Sequence, residues 1–154
     1  MKQYLIDTFK FNDRSNRTIL EKIKGMPNPE ESINLFSHLI HSQNKWMARI
    51  TGDAGEPNLE WFGKTFDTNE LENQWNKSVQ AWLNFIEKSG EDGLNSELKY
   101  TASDGTRLGA KIKDIALQIN YHSIHHRAQI CMMLRMQNIE PPFIEYIGSV
   151  VKRY

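Results

Sequence analysis

The sequence predicts an all-α protein, a four-helix bundle in which a short β-hairpin precedes the last long helix. Three observations lead to this fold class. Four segments of about 20 residues or more carry apolar residues at helical spacing, which is the pattern of bundle helices. A short stretch with a turn signal interrupts the helical pattern before the fourth segment. The 154 residues, 39% of them hydrophobic, suit one compact domain over residues 1–154.

The first two predicted helices cover residues 4–23 and 29–51. Apolar residues in the first recur at helical spacing on both sides of a polar stretch, and Gly25 ends it. The second begins with a good N-cap residue, Asn28, followed by Pro29 at the first helical position and by two acidic residues. Acidic side chains are favourable there because the helix dipole is positive at its start.

A long loop and a third helix follow. Residues 52–66 contain three glycines and a proline, which favours a loop, yet they also carry the rings of Trp61, Phe62 and Phe66. Apolar rings in a loop indicate that it packs onto the protein as a lid or a buttress. Residues 67–89 then return to a helical apolar pattern, which predicts the third helix.

The fourth helix is predicted over residues 109–137, after a hairpin. The hairpin strands are residues 97–101 and 106–108, joined by a turn containing Asp104-Gly105. Because the fourth helix is apolar on several sides, the pattern predicts a central helix that is covered all round. Residues 143–151 are expected to form a C-terminal tail.

Charge, cysteine content and hydropathy narrow the functional class. The 19 basic and 19 acidic residues cancel, so no nucleic-acid partner is expected. Cys131, the single cysteine, gives no disulfide framework. No apolar run approaches the roughly 18 residues that span a bilayer, so we expect no membrane partner and a cytoplasmic location.

Histidines form the main functional signal. His122 and His126 stand four residues apart in the fourth helix, so their rings lie one above the other, close enough to share a metal ion. Their helix face also carries isoleucine and methionine. Burying two imidazoles there is costly unless each finds a partner, and a divalent metal satisfies both. The pair alone is weak evidence, because short motifs often occur without a metal.

A third ligand is expected from the second helix, since metal sites in bundles are built from facing helices. His38 and His41 both lie off the centre of that helix's apolar face, and the periodicity favours His38 only slightly. His125 points partly away from His122 and is expected at the rim of the site. Three neutral imidazoles would leave a coordination position open, as in catalytic sites. Nitrogen ligands suit zinc, nickel, iron or cobalt, and the sequence does not identify the metal.

The chain resembles the DinB family of DinB/YfiT-like metalloenzymes, in the form frequent in Bacteroidetes. The resemblance is carried by SHLIHSQNKWMARI at residues 37–50, DI at 114–115, NYHSIHHRAQI at 120–130, NIEPP at 138–142 and EYI at 145–147. Order, spacing and predicted helices agree with the family over essentially the whole chain. The resemblance implies a four-helix bundle and a metal held by one histidine of helix two and an H-x-x-x-H pair of the last long helix.

Carried over by motif position, the implied metal ligands are His38, His122 and His126. The family's helix-two histidine stands eight residues before an aromatic residue, as His38 stands before Trp46. The family often has a further histidine where this chain has Gln118, which removes a possible supporting imidazole. Members are commonly homodimers, so the resemblance also implies a homodimer here.

The function implied by the resemblance is a metal-dependent enzyme, either a thiol S-transferase or a hydrolase. Relatives include transferases and isomerases that use bacillithiol or mycothiol, and others are described as metal-dependent hydrolases. The divalent metal would activate water or bind a low-molecular-weight thiol as thiolate. The alternative is a non-catalytic stress-response bundle that binds a metal or a small ligand. The sequence identifies neither a substrate nor a catalytic residue.

Overall fold

Four long helices and one hairpin form the body of the protein. The computed structural model of the chain describes residues 1–152. Its elements, in chain order, are α1 Lys2–Lys24, α2 Glu30–Thr51, a 3-10 turn Glu56–Asn58, α3 Thr68–Lys88, α4 Glu91–Asn95, β1 Glu97–Thr101, β2 Arg107–Lys111, α5 Ile112–Met136 and α6 Tyr146–Val150. The predicted fold class, a four-helix bundle with a hairpin before the last long helix, is confirmed.

The long helices pack in a ring around one core. Helix α1 lies between α3 and α5, and α2 packs against the same two helices. Large aromatic residues fill the interior: Phe9 stacks on Trp82 with ring centroids 5.5 Å apart, and Phe36 lies 5.3 Å from Trp75. The contact of α2 with α5 matters most for function, because it brings the second helix against the histidine-bearing helix.

A polar layer lies between α1 and α5. Asn12 and Asn16 of α1 are 2% and 0% exposed, although they belong to the polar stretch of the first helix. The Asn16 amide donates to Ser123 Oγ at 2.7 Å and to Asn12 Oδ1 at 2.9 Å. These side chains therefore face the bundle, where their hydrogen bonds offset part of the cost of losing water.

The hairpin runs farther than predicted. Its antiparallel register pairs Glu97 with Lys111 and Thr101 with Arg107, so residues 109–111 belong to β2. The prediction that the last long helix begins at residue 109 was wrong, since those residues satisfy their backbone groups by pairing with β1. Gly105 has φ +85, a conformation that the tight turn needs and that glycine adopts without strain.

The prediction that the last long helix is covered all round was also wrong. On α5, Tyr121, Ile124 and Met132 are 61%, 49% and 57% exposed. Two short helices, α4 and α6, were not predicted, because segments of five residues are too short to show a helical period. Within residues 1–152, no helix is both long enough and apolar enough to cross a membrane.

Candidate metal centre

Three histidine side chains meet where α2 packs on α5. His38 comes from α2, and His122 and His126 come from successive turns of α5. The Nε2 atom of His122 lies 3.0 Å from Nε2 of His38 and 2.9 Å from Nε2 of His126. His38 and His126 are 6% and 7% exposed, and His122 is partly buried. We call these three residues the histidine triad.

The outer nitrogens of two triad rings are held by hydrogen-bond acceptors. His38 Nδ1 lies 2.6 Å from the backbone oxygen of Trp61, and His126 Nδ1 lies 2.6 Å from Oε1 of Gln129. Because a carbonyl oxygen only accepts, each Nδ1 carries the proton and each Nε2 presents a lone pair towards the centre. Acceptors of this kind hold metal-ligating histidines in one tautomer and one orientation.

The converging nitrogens favour a cation at the centre. His122 can donate an Nε2 proton to only one neighbour, so at least one close pair of nitrogens is left with lone pair facing lone pair. A single nitrogen from each triad residue lies within 4.8 Å of the others, close enough for all three to hold one metal ion. The donor set therefore fits a divalent metal that accepts imidazole ligands.

The electrostatics of the triad also favour neutral imidazoles, the form that binds metals. Burial lowers the pKa of His122 to about 4, and the neighbouring imidazoles of His126 and His38 act in the same direction. Burial likewise lowers the pKa of His38 and of His126, although their hydrogen bonds to Trp61 and Gln129 partly oppose this. At neutral pH the triad is unprotonated, so protons compete little with a metal ion.

The loop over residues 52–66 acts as a wall of the site. Phe62 stacks on the His38 ring with centroids 4.0 Å apart and planes 3° apart, while 73% of Phe62 remains exposed. Trp61 packs against Trp46 of α2, with ring centroids 5.7 Å apart. The loop therefore both supports the Nδ1 side of His38 and covers one face of its ring.

A charged cluster anchors this loop to α2. Lys45 Nζ lies 3.1 Å from Oε1 of Glu56, and Arg49 Nε lies 2.7 Å from the same oxygen. Lys45 is 7% exposed and also donates to the backbone oxygen of Leu59. Although burial raises the pKa of Glu56, the hydrogen bonds from Arg49 and Lys45 hold it below its usual value. The sequence left two roles open for this loop, a lid or a buttress. In the structure the loop is packed as a buttress.

The structure separates His38 from His41, which sequence periodicity had left almost equivalent. Three residues turn a helix by about 300°, so the two side chains diverge by about 60°. His41 points to the loop, where Nε2 lies 2.9 Å from the backbone oxygen of Lys64 and the ring stacks on Phe66. His41 therefore helps to hold the loop and does not join the triad.

A cavity of about 520 Å³ opens onto the triad. Besides the triad, the cavity is lined by Ser42, Trp46, Trp61, Phe62, Gln118, Ile119 and His125. The exposed His125 lies at the rim, with its ring 5.0 Å from that of His126, as its sequence position predicts. Gln118 is exposed at the same rim. Among the lining residues of this cavity no carboxylate occurs, in the part of the chain that the structure describes.

Comparison with protein-family models gives a match over residues 27–130, to the DinB superfamily. The chain belongs to the DinB superfamily. The DinB match runs from the turn before α2 into α5 and so includes all three triad histidines. The family predicted from the motifs is confirmed, while the Bacteroidetes form of it stays a prediction. No curated protein and no solved structure matched the chain.

Sequence reasoning missed the backbone of Trp61 as a partner of His38 in this DinB chain. A backbone carbonyl has no side-chain signature, so only the apolar rings of the loop pointed to this segment. Gln129 was visible on the same helix face as His122 and His126, since i and i+3 are neighbours on a helix. Its role as the Nδ1 acceptor needed the side-chain geometry.

Proposed function

We propose that this DinB protein is a metal-dependent enzyme in which His38, His122 and His126 bind a divalent ion and leave part of its shell open. The observation that carries the proposal is the convergence of three Nε2 atoms with two Nδ1 atoms fixed from outside. Open coordination and a substrate-sized cavity are typical of catalytic sites. A bound divalent ion would lower the pKa of a water or thiol beside it.

Of the two reactions considered, the cavity favours thiol transfer over hydrolysis. A hydrolase commonly uses a carboxylate as general base for its water. Among residues 1–152, no carboxylate side chain lines the cavity at the triad. A thiol is more acidic than water and needs less help to ionise. The walls formed by Trp46, Trp61 and Phe62 suit the apolar part of an electrophile, and Ser42 and Gln118 offer polar contacts beside it.

The first test is the metal content of protein purified without a nickel column. We expect about one equivalent of metal in the unchanged protein and in the control His125→Ala, which removes a neighbouring imidazole at the rim. The triple variant of His38, His122 and His126 to alanine should contain almost none. Metal that persists in the triple variant would contradict the ligand assignment.

The second test is turnover with a panel of low-molecular-weight thiols and model electrophiles. With an aryl chloride, the thiol sulfur forms a bond to carbon, chloride leaves, and the thiol proton passes to the solvent. We expect metal-dependent formation of the thioether for at least one thiol and release of acid from ester substrates at a lower rate. Faster ester hydrolysis without thiol would instead support the hydrolase.

The lack of a carboxylate in the cavity also supports a second candidate, a non-catalytic stress-response bundle that binds a metal or a small ligand. A binding module of this kind would bind metal stoichiometrically and would turn over none of the electrophiles or esters tested. Saturating metal with no turnover would therefore favour the binding module.

We also propose a homodimer. Its support is the exposure of large apolar side chains on α5 and near the C-terminus, with Met136 and Phe143 76% and 89% exposed. Light scattering of the purified protein should give twice the monomer mass, and a monomer over the accessible concentrations would contradict the proposal.

A further inference from the structure

A second polar site lies on the side of α5 that faces away from the triad. Arg127 is 6% exposed, and within residues 1–152 it has no carboxylate partner at salt-bridge distance. Its Nη1 atom donates to Oδ1 of Asn12 and, at 3.4 Å, to Oγ of Ser123. A guanidinium stays charged at any physiological pH, so this is a buried cation with neutral neighbours. Such an arrangement is costly unless an anion joins it.

Arg127 is one of the residues that line a cavity of about 200 Å³ between α1, α5 and the start of α6. Successive residues turn a helix by about 100°, which places Arg127 about 140° around α5 from His122. The cavity shares no lining residue with the one that opens onto the triad. It is therefore a separate site, and nothing proposed for it depends on the metal or on the proposed function.

Unused hydrogen-bond capacity is concentrated at the polar end of this cavity. In the described residues, Nε and Nη2 of Arg127 make no hydrogen bond to protein. The Asn12 side chain, 2% exposed, leaves its Nδ2 donor without a partner, and Asn120 Oδ1 is also buried and unpartnered. Of these groups, the Asn12 Nδ2 and the two Arg127 nitrogens are donors, whereas Asn120 Oδ1 can only accept. Because buried polar groups are almost always hydrogen-bonded, the free donors of Asn12 and Arg127 indicate an acceptor that carries negative charge.

The other walls determine which anion fits. Phe11, Tyr121, Ile124 and Tyr146 make the cavity mainly apolar, and the Arg127 guanidinium lies 5.9 Å from the centre of the Phe11 ring. One guanidinium matches one carboxylate, because its parallel N–H groups bind both oxygens. Inorganic phosphate carries more charge than a single arginine balances and has no apolar part to meet the aromatic walls.

We propose that this cavity is a binding site for a small organic monocarboxylate, with an aromatic or branched aliphatic body. The carboxylate pairs with Arg127 and accepts from the Asn12 amide. The apolar body lies between Phe11 of α1, Ile124 of α5 and Tyr146 of α6. Because residues of all three elements line this cavity, the bound ligand also contacts the C-terminal helix and ties it to the bundle.

The test is calorimetric titration of the full-length protein with benzoate, phenylacetate and 4-methylpentanoate, each compared with its uncharged amide. For ligands of this size we expect a Kd of about 0.1 to 1 mM for the best carboxylate. The matching amide should bind at least about tenfold more weakly, since it loses the charge-assisted pair. Inorganic phosphate forms a separate arm, and tighter binding of phosphate would overturn the assignment to a carboxylate.

Two variants on one helix locate the site. Arg127→Gln removes the buried cation and should weaken carboxylate binding by at least about tenfold. Arg135→Gln makes the same charge change at an exposed position two turns along α5 and should leave the affinity unchanged. Equal weakening in both variants would show a general charge effect and overturn the proposal. Metal content, measured in parallel, should be unchanged in both.

A direct measurement keeps the proposal testable if Arg127→Gln fails to fold. In the unchanged protein, protons of the bound carboxylate should show nuclear Overhauser contacts to the Ile124 methyl groups and the Tyr146 ring. Contacts to other residues only would overturn the proposal. A lack of saturable binding by every carboxylate of the panel would also overturn the proposal. This holds whether the cavity stays empty or is filled by a carboxylate from a second copy of the chain.

Discussion

The substitution Gln129→Leu tests whether the outer hydrogen bond of His126 prepares the triad for a metal. Oε1 of Gln129 lies 2.6 Å from Nδ1 of His126 and fixes the tautomer that turns Nε2 towards the other two histidines. Leucine has nearly the same size as glutamine and no acceptor. The His126 ring would then be free to carry its proton on Nε2, where it blocks the metal.

The magnitude follows from what remains after this change. His38 keeps its own Nδ1 acceptor, the backbone oxygen of Trp61, so one of the two outer supports is lost. Loss of such a support typically weakens metal affinity by about 10- to 100-fold. We expect the lower end, about tenfold or about 1.4 kcal/mol, because the second support and the helix geometry of His122 and His126 are retained.

The assay is competition with a chromophoric zinc chelator at neutral pH, which gives the metal dissociation constant directly. The control is Gln118→Leu, the same chemical change at an exposed rim position that has no hydrogen bond to a triad histidine in the described residues. An affinity of Gln129→Leu within about twofold of the unchanged protein would refute the reasoning. A larger loss in Gln118→Leu would refute it too.

Three further predictions concern pH, the charged cluster and the loop. Burial and the neighbouring imidazoles lower the pKa of His122 to about 4, so between that value and about 6.5 the unfolded chain binds more protons than the folded one. The metal-free protein should therefore gain about 1 to 2 kcal/mol of unfolding free energy as pH rises through this window, as measured by urea unfolding. Glu56→Gln should lower the unfolding free energy by about 2 kcal/mol, because it leaves the cations Lys45 and Arg49 without their shared carboxylate. Phe62→Ala should change stability by less than about 0.5 kcal/mol, since the ring is largely exposed, but should speed the release of metal to a chelator by uncovering the ring beneath it.

The pH prediction is contradicted by one direct outcome, and each of the other two has a matched control variant in the chain. Stability that is flat across the pH window would contradict the protonation argument. For the charged cluster, Glu60→Gln makes the same change at an exposed position in the same loop, and an equal loss of stability in both variants would remove the role assigned to Glu56. For the loop, Phe143→Ala removes an exposed ring outside the site and should leave metal release unchanged.

The regular elements could be predicted because their signals are local. Apolar spacing placed α1, α2 and α3 within a few residues of their observed bounds, and Asp104-Gly105 marked the hairpin turn. The start of α5 was predicted three residues early, because pairing of residues 109–111 with β1 depends on a partner strand. The same limit applies to Asn12 and Asn16, whose polar side chains gave no sign that they are buried against α5.

The sequence by itself determined the fold class, the family and the pair His122 and His126, since a four-residue spacing on a helix fixes two side chains on one face. Helix periodicity left the third member open between His38 and His41, and the family motif implied His38. Only the tertiary structure showed that His38 meets the pair and which groups support the three rings. His38 and His41 differ by about 60° in direction on the same helix. This angle decides which of the two rings reaches His122 and His126 only once α2 is packed on α5. The contacts of the Trp61 carbonyl with His38 and of Arg127 with Asn12 also depend on the tertiary structure, because each joins residues far apart in sequence.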